Sequence, residues 1–220
     1  MVATAKFRPE RHQCGLHTST MVTRWFYQMY RPGGIIIDAE KVVTVLSEAG
    51  VSFVLVGTHG IGGWRSQARA TQDIDILAKK DHALAVRSVQ AAFPKLLVED
   101  GDNGTKFNDP QTGEQRIDLM KPVQKVYQLA FRQAQWVGRS HRVPDLEMAL
   151  LLKFAARISP HRRSTKRMQD TADFADIVEH NQADIDLPKL GRLADQVYDG
   201  GRSEIVKLVE DILAGRPIVI

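Results

Sequence analysis

Two aspartates one residue apart, Asp73 and Asp75, stand in the run Arg69-Ala70-Thr71-Gln72-Asp73-Ile74-Asp75-Ile76-Leu77. Acid alternating with isoleucine is strand periodicity, which projects both carboxylates to one face and both isoleucines to the other. Carboxylates this close repel and raise each other's pKa unless a cation sits between them. Hard divalent ions such as Mg²⁺ use one or two such groups together with phosphate oxygens. A third acid, Asp118 in Arg116-Ile117-Asp118-Leu119, has similar apolar flanks on an expected strand. If the two strands are neighbours, three carboxylates converge, a set sufficient for two-metal phosphoryl transfer. Asp-x-Asp alone is also what a solvated edge strand carries. Ile74, Ile76 and Leu77 argue instead for a strand packed on one side.

Upstream, Gly57-Thr58 closes an apolar run that starts at Val51. Glycine lets backbone N–H groups approach a phosphate, and a helix start behind it adds a favourable dipole. The Thr58 hydroxyl is a further donor, and Gly60, Gly62 and Gly63 prolong the flexible stretch. No Gly-Lys-Ser/Thr follows, which argues against a P-loop, and the spacing fails the dinucleotide fingerprint. A tight strand-to-helix turn without a ligand accounts for the pair equally well, and His59 reads as a turn residue or cap.

These residues need a sheet to hold them. The spacing predicts a helix over 38–49, capped by Asp38, with Val42, Val43 and Leu46 as its apolar stripe and Gly50 as its terminator. Residues 51–57 read as a buried strand, 73–77 as a strand and 81–93 as a covering helix. Strands are expected at 96–98, 106–107 and 115–119, the last two joined by a turn over 109–113. Beyond 122 the pattern turns helical, with helices over 123–134, 145–157, 165–180, 188–198 and 202–214. The expected fold is α+β: a mixed sheet with flanking helices, followed by a helical C-terminal region. The expected units are a catalytic α/β domain at 35–122 and a helical domain at 123–220.

Composition sets the outer limits. The chain has 220 residues, 43% of them apolar and 25% charged, with a formal charge of +4. That is an ordinary globular composition, and it excludes collagen-like and wholly disordered chains. One cysteine, Cys14, excludes an internal disulfide framework and fits a reducing, cytoplasmic setting. No apolar run reaches membrane-spanning length. Residues 1–34 are basic and lack an apolar segment of secretory length, so they read as a disordered leader, or as sequence ahead of a start at Met21 or Met29.

Gly57-Thr58 followed by Arg69-x-Thr71-x-Asp73-Ile74-Asp75 resembles the signature of the DNA polymerase β-type nucleotidyltransferase superfamily. The Arg-x-Thr-x-Asp-Ile-Asp form is especially similar to minimal nucleotidyltransferases and to abortive-infection type toxins. A second block fits that subgroup: Lys153 on one helix, then Arg167-Met168-Gln169-Asp170-Thr171-Ala172-Asp173 on the next. Thr58 departs from the usual Gly or Ser, the gap to Asp73 is somewhat long, and Gln169 stands where Lys is frequent. These departures bear on substrate choice more than on fold.

The resemblance implies that Asp73, Asp75 and Asp118 are catalytic and hold two Mg²⁺ ions, with Mn²⁺ as an alternative. It implies that Gly57, Thr58, Arg69, Thr71, Lys153, Arg167 and Asp170 bind the nucleotide. The implied reaction moves an NMP from an NTP to a hydroxyl of RNA, tRNA or protein, and an antitoxin is an implied partner. Read as residues alone, Lys153 is equally a snorkelling lysine, and Asp170 and Asp173 are ordinary helix-surface charge. Arg157, Arg162, Arg163, Lys166 and Arg167 form an acid-free run that suits RNA phosphates or a solvated loop, with no aromatic residues interleaved. Three other readings stand beside the leading one: a small-molecule transferase of the aminoglycoside-modifying kind, a non-catalytic binder of nucleotide or a partner, and a metal-independent nucleic-acid-binding module.

Overall fold

The alternation expected to form a strand over 73–77 does so from Ile74 to Ala78, in the middle of the sheet. The computed structural model describes residues 7–31 and 33–218. Its strands are β1 (Phe53–Leu55), β2 (Ile74–Ala78), β3 (Leu97–Gly101), β4 (Gly104–Asn108), β5 (Gln115–Met120), β6 (Gln135–Val137) and β7 (His141–Val143). They make one mixed seven-stranded sheet in the order β3-β4-β5-β2-β1-β7-β6. β2 runs parallel to β5, and β1 parallel to β7. The other neighbours are antiparallel.

The helices are α1 (Pro9–Tyr30), α2 (Ala39–Glu48), the single turn α3 (Gly57–Gly60), α4 (His82–Ala92), α5 (Lys125–Gln133), α6 (Leu146–Ile158), α7 (Ser164–His180), α8 (Leu187–Asp195) and α9 (Gly201–Leu213). Asp38 caps α2 by accepting from the Lys41 N–H, and Asp145 caps α6 by accepting from the Met148 N–H. Gly50 follows α2 with a φ of +71°, the left-handed terminator that glycine adopts without penalty. No described helix is long and apolar enough to cross a membrane.

Two apolar cores sandwich the sheet. Leu55, Ile74, Ile76 and Leu119 point to the side of α2 and α4. Val54, Val56 and Leu77 point to the side of α5 to α9, where Leu150, Phe154, Phe174 and Ile177 meet them. The helical C-terminal region therefore shares a core with the sheet. Residues 135–143, expected among helices, instead form the β6–β7 hairpin beside β1. These strands have three residues each, too short for a period to register. The sheet thus extends past the boundary expected at 122.

The larger difference is α1. Residues 9–30, expected within a disordered leader, form a 22-residue helix. Its buried positions are His12, Leu16, Ser19, Thr20, Thr23 and Tyr27, a regular helical spacing carried mostly by polar side chains. A hydrophobic pattern cannot reveal such a helix. Residues 1–6 and 32 of the supposed leader lie outside the described residues. Gly15 lies against the Gly62–Trp64 turn so closely that a Cβ on it would meet the Gly62 carbonyl carbon at 2.5 Å. Gly60, Gly62 and Gly63 thus serve close packing, with the Leu55 carbonyl and α1 as neighbours, in place of the flexible phosphate loop that their spacing suggests.

Three histidines are buried along this side. His12 stacks on Phe7 at 4.6 Å and meets Trp64 edge-on at 4.7 Å, and neither ring nitrogen has a hydrogen-bond partner. Burial, with Arg11 and His141 adding, lowers its pKa to about 3. His59 shares a 2.7 Å hydrogen bond with Ser19, and burial, then Arg69, hold its pKa at about 4 against Asp38. Burial likewise holds His141 at about 4. Such groups fold neutral but charge readily when unfolded, so their contribution is complete above about pH 6.5 and is lost as pH falls toward 4. Thermal melts from pH 7 down to 4.5 should show stability falling, each histidine contributing up to about 1.4 kcal/mol per pH unit. His12→Leu should make the fall shallower; an unchanged slope would mean that His12 charges freely in the folded chain.

Candidate active site

The register of β2 on β5 pairs Ile74 with Ile117, Asp75 with Asp118 and Ile76 with Leu119. Directly opposed residues of paired strands project to the same face. Asp75 and Asp118 therefore stand side by side, and Asp73, just ahead of β2, faces the same cleft. All three line a cleft of about 380 Å³ between the sheet and helices α6 and α7. Burial pushes Asp75 up to about 8, with Asp73 and then Asp118 adding to the rise and Lys153 and Arg162 opposing it. Burial also raises Asp118, against Lys106 and helped by Asp73. Asp73 accepts a 3.3 Å hydrogen bond from the Thr71 hydroxyl.

Gly57 is fixed here by two requirements. Its φ is +59°, and a Cβ would lie 1.9 Å from Asp75 Oδ2. The glycine opens the space that the carboxylate fills. Thr58 follows in α3, buried, and lines the same cleft.

The opposite wall is a charge network on α6 and α7. Lys153 Nζ lies 3.0 Å from Asp170 Oδ1 and 2.6 Å from Asp173 Oδ2. Arg69 grips Asp173 through two bonds, Nε at 3.0 Å and Nη2 at 2.8 Å. Arg162 reaches Asp170. Burial alone would raise Asp173, but Arg69, Lys153 and Arg65 outweigh it and hold its pKa at about 2. Arg65 also bonds Asp176, which accepts from the Ser66 hydroxyl too.

Of the residues singled out from sequence, Gly57, Thr58, Arg69, Thr71, Asp73, Asp75, Asp118, Lys153 and Asp170 all line the cleft. Arg167 does not. Its Nε is buried without a hydrogen-bond partner, and Arg162, in the turn ahead of α7, takes the place beside Asp170. Arg69 is committed to Asp173, so it positions α7 against the loop rather than standing free as a clamp. The cleft also takes in Lys106, Gln115, Tyr127 and Lys166. Lys106 and Tyr127 carry no motif that would have marked them. Lys166 belongs to the basic run, whose composition suits RNA phosphates without pointing to this cleft.

Among the described residues, no group of three or more His, Cys, Asp or Glu side chains is arranged to hold a metal ion. The donor chemistry nevertheless fits a hard divalent cation. Three carboxylates face one cleft, and Asp75 is pushed up by burial and by its two neighbours, a cost that a cation between them removes.

No known protein-family model matches the chain, and no curated protein matches it. It does match solved structures. One is JHP933 from Helicobacter pylori, 14% identical over 80% of this chain and 90% of that one, with a TM-score of 0.47. Another is a candidate nucleotidyltransferase from H. pylori, 17% identical over 80% and 88%, with a TM-score of 0.45. A third is the antibiotic-resistance factor ANT(2'')-Ia, known from a solution structure, 14% identical over 80% and 89%, with a TM-score of 0.41.

Two substitutions probe this packing. Gly57→Ala adds about 1–2 kcal/mol of backbone strain and displaces the Asp75 carboxylate, so it should lower the melting temperature while far-ultraviolet circular dichroism stays native. Asp75→Asn removes one of three crowded carboxylates. In chelated buffer at pH 7.5, where the folded Asp75 is held largely protonated and the unfolded one is ionised, it should raise the melting temperature, by about 2–4 °C for each kcal/mol of that cost removed. A lower melting temperature would mean that burial and crowding of Asp75 do not oppose folding.

Proposed function

We propose that this chain is a metal-dependent nucleotidyltransferase of the polymerase β type, moving an NMP from an NTP to an acceptor hydroxyl and releasing pyrophosphate. The observation that carries this reading is the in-register pairing of Asp75 with Asp118 on parallel strands, with Asp75 seated on Gly57 and the Lys153 network opposite. Residue types read from the sequence as a signature thus meet in one cleft.

Asp73, Asp75 and Asp118 would hold Mg²⁺, which when bound supplies positive charge to offset that of the phosphates. Thr58, as a hydroxyl donor, and the backbone at Gly57 bind phosphate oxygens. Lys153 has three N–H bonds; two serve Asp170 and Asp173, and the third is available to the triphosphate. Its ammonium is held in place by the two aspartates, so little reorganisation accompanies charge build-up on the leaving pyrophosphate. Asp118, raised by burial, is suited to take the proton of the acceptor hydroxyl. The hydroxyl oxygen then bonds to the α-phosphorus as the bond to the β-phosphate oxygen breaks, and pyrophosphate carries away the negative charge. Arg69 and Asp173 fix α7 against the loop that bears Thr71 and Asp73. An RNA, tRNA or protein hydroxyl as acceptor, and an antitoxin as partner, follow from the resemblance to toxin-like members.

The test is label transfer from each α-labelled NTP, with Mg²⁺, onto total tRNA, lysate protein and small hydroxylated amines. Wild type should label one acceptor class. Asp75→Asn should lose more than about a hundredfold, the loss that even outer-shell partners of a metal produce. Lys153→Met should raise KM for the NTP. Near wild-type transfer by Asp75→Asn would overturn the site assignment.

A further inference from the structure

The basic run 157–167 lacks aromatic residues, yet the fold brings aromatics to it from more than a hundred residues away. The active-site cleft opens, past Arg69, Thr71, Lys166 and Gln169, into a second cavity of about 230 Å³. Its far wall is the C-terminal end of α1, through Phe26, Tyr27 and Arg31. No acidic side chain is among the residues lining it. Phe26 is half-buried; it packs edge-on to Tyr27 at 5.8 Å and tilted to Tyr30 at 5.4 Å, and Tyr30 in turn meets Trp25 at 5.8 Å. Trp25 and Tyr30 are exposed by more than half. Arg31 pairs with Glu114 and Arg69 with Asp173. Lys166 forms no side-chain hydrogen bond or ion pair with any described residue, so its ammonium is unspent.

We infer that this cavity and the aromatic end of α1 form a subsite for single-stranded RNA, in which Lys166 takes a backbone phosphate and Phe26, backed by Tyr30, takes the face of an unpaired base. Flat aromatic faces beside a cationic groove are how single strands are held without sequence readout, and an unpaired strand end exposes the base face that a duplex hides. The absence of acids along the lobe suits a phosphate chain and disfavours a cationic acceptor. The subsite shares Arg69, Thr71, Lys166 and Gln169 with the catalytic cleft, so a strand lying in it would present its end to Asp118. The subsite rests on the proposed transferase reading only for that last step; the binding itself does not require catalysis.

The experiment therefore reads binding in the inactive Asp75→Asn chain, in EDTA, by fluorescence anisotropy of a short labelled single-stranded RNA and of the same RNA in a duplex. Single-stranded RNA should bind and the duplex bind markedly less. Lys166→Ala should weaken binding roughly tenfold at low salt and shrink the slope of log affinity against log salt by about 0.7. Phe26→Ala should weaken it about tenfold with the slope unchanged; Phe26→Trp should restore it, which separates stacking from damage to α1. Equal affinities for parent and Lys166→Ala, equal binding of duplex, or no RNA binding by the parent would overturn the subsite. So would variants that bind RNA normally but lose affinity for the NTP, since that would assign the lobe to the nucleotide. Failure of label transfer with RNA binding intact would sink the transferase reading and leave this one standing.

Discussion

Asp75 Oδ2 occupies the place that a Cβ on residue 57 would need, and the same carboxylate stands opposite Asp118 across two parallel strands. Much of the cleft follows from that close approach. Residue 57 must be glycine, for space and for its positive φ. β1 must end there, so that α3 starts beside the acid rather than beyond it. The face of β2 that carries Asp75 must be left uncovered at one end while Leu77, two residues on, is buried in the core against the C-terminal helices. A buried carboxylate crowded by two others opposes folding, and the protein tolerates it because Ile74 and Ile76 anchor the strand on the other face.

The charge network on α6 and α7 solves a matching problem on the opposite wall. Cations at the wall of a cleft sit on long basic side chains, which lose entropy when ordered. Lys153 is held between two aspartates, and Arg69 and Arg65 hold one of those aspartates in turn. Asp173 is thus bracketed from α6 and from the loop before β2 together, and the bidentate Arg69 fork fixes geometry as well as charge. Asn181, donating to the Trp64 carbonyl from the end of α7, ties the same two layers at a second point. The result is one body with two apolar cores, in which the helical region forms a wall of the site.

Legibility from sequence divides along physical lines. Period-2 alternation at Asp73–Leu77 and the 3.6 period of the C-terminal helices read correctly because apolar side chains carry both signals. The convergence of Asp75 and Asp118 is visible in sequence only as a condition, since strand order is a matter of long-range pairing. The glycines at 60, 62 and 63 suggest freedom and prove to be contact, because close backbone approach and flexibility call for the same residue. Arg69 and Asp173 both stand out in the sequence, but their mutual grip spans a hundred residues and leaves no local trace. β6 and β7 are three residues each, below the length at which a pattern exists. Arg162 and Arg167 belong to one basic run, and it is Arg162, in the turn ahead of α7, that meets Asp170, a pairing that composition does not mark.

Helix α1 is the least legible element, and its chemistry explains both its concealment and its use. Its buried face offers Ser19 to His59, Thr23 Oγ1 to the Thr71 N–H, a Gly15 backbone to Gly62, and the Tyr27 ring to the Arg116 guanidinium at 4.7 Å. Little apolar area is involved, so the interface adds less stabilisation per contact than a leucine stripe would. What it supplies is direction. The first three contacts fix different points on the chain between β1 and β2, from the turn after Gly57 to Thr71, which itself donates to Asp73, and the fourth reaches β5. A polar interface of this kind tolerates little sliding, because a shifted register would leave buried donors unpaired. The helix is therefore suited to holding the loop between β1 and β2 in one conformation while Trp25 and Tyr30, at its C-terminal end, stay exposed.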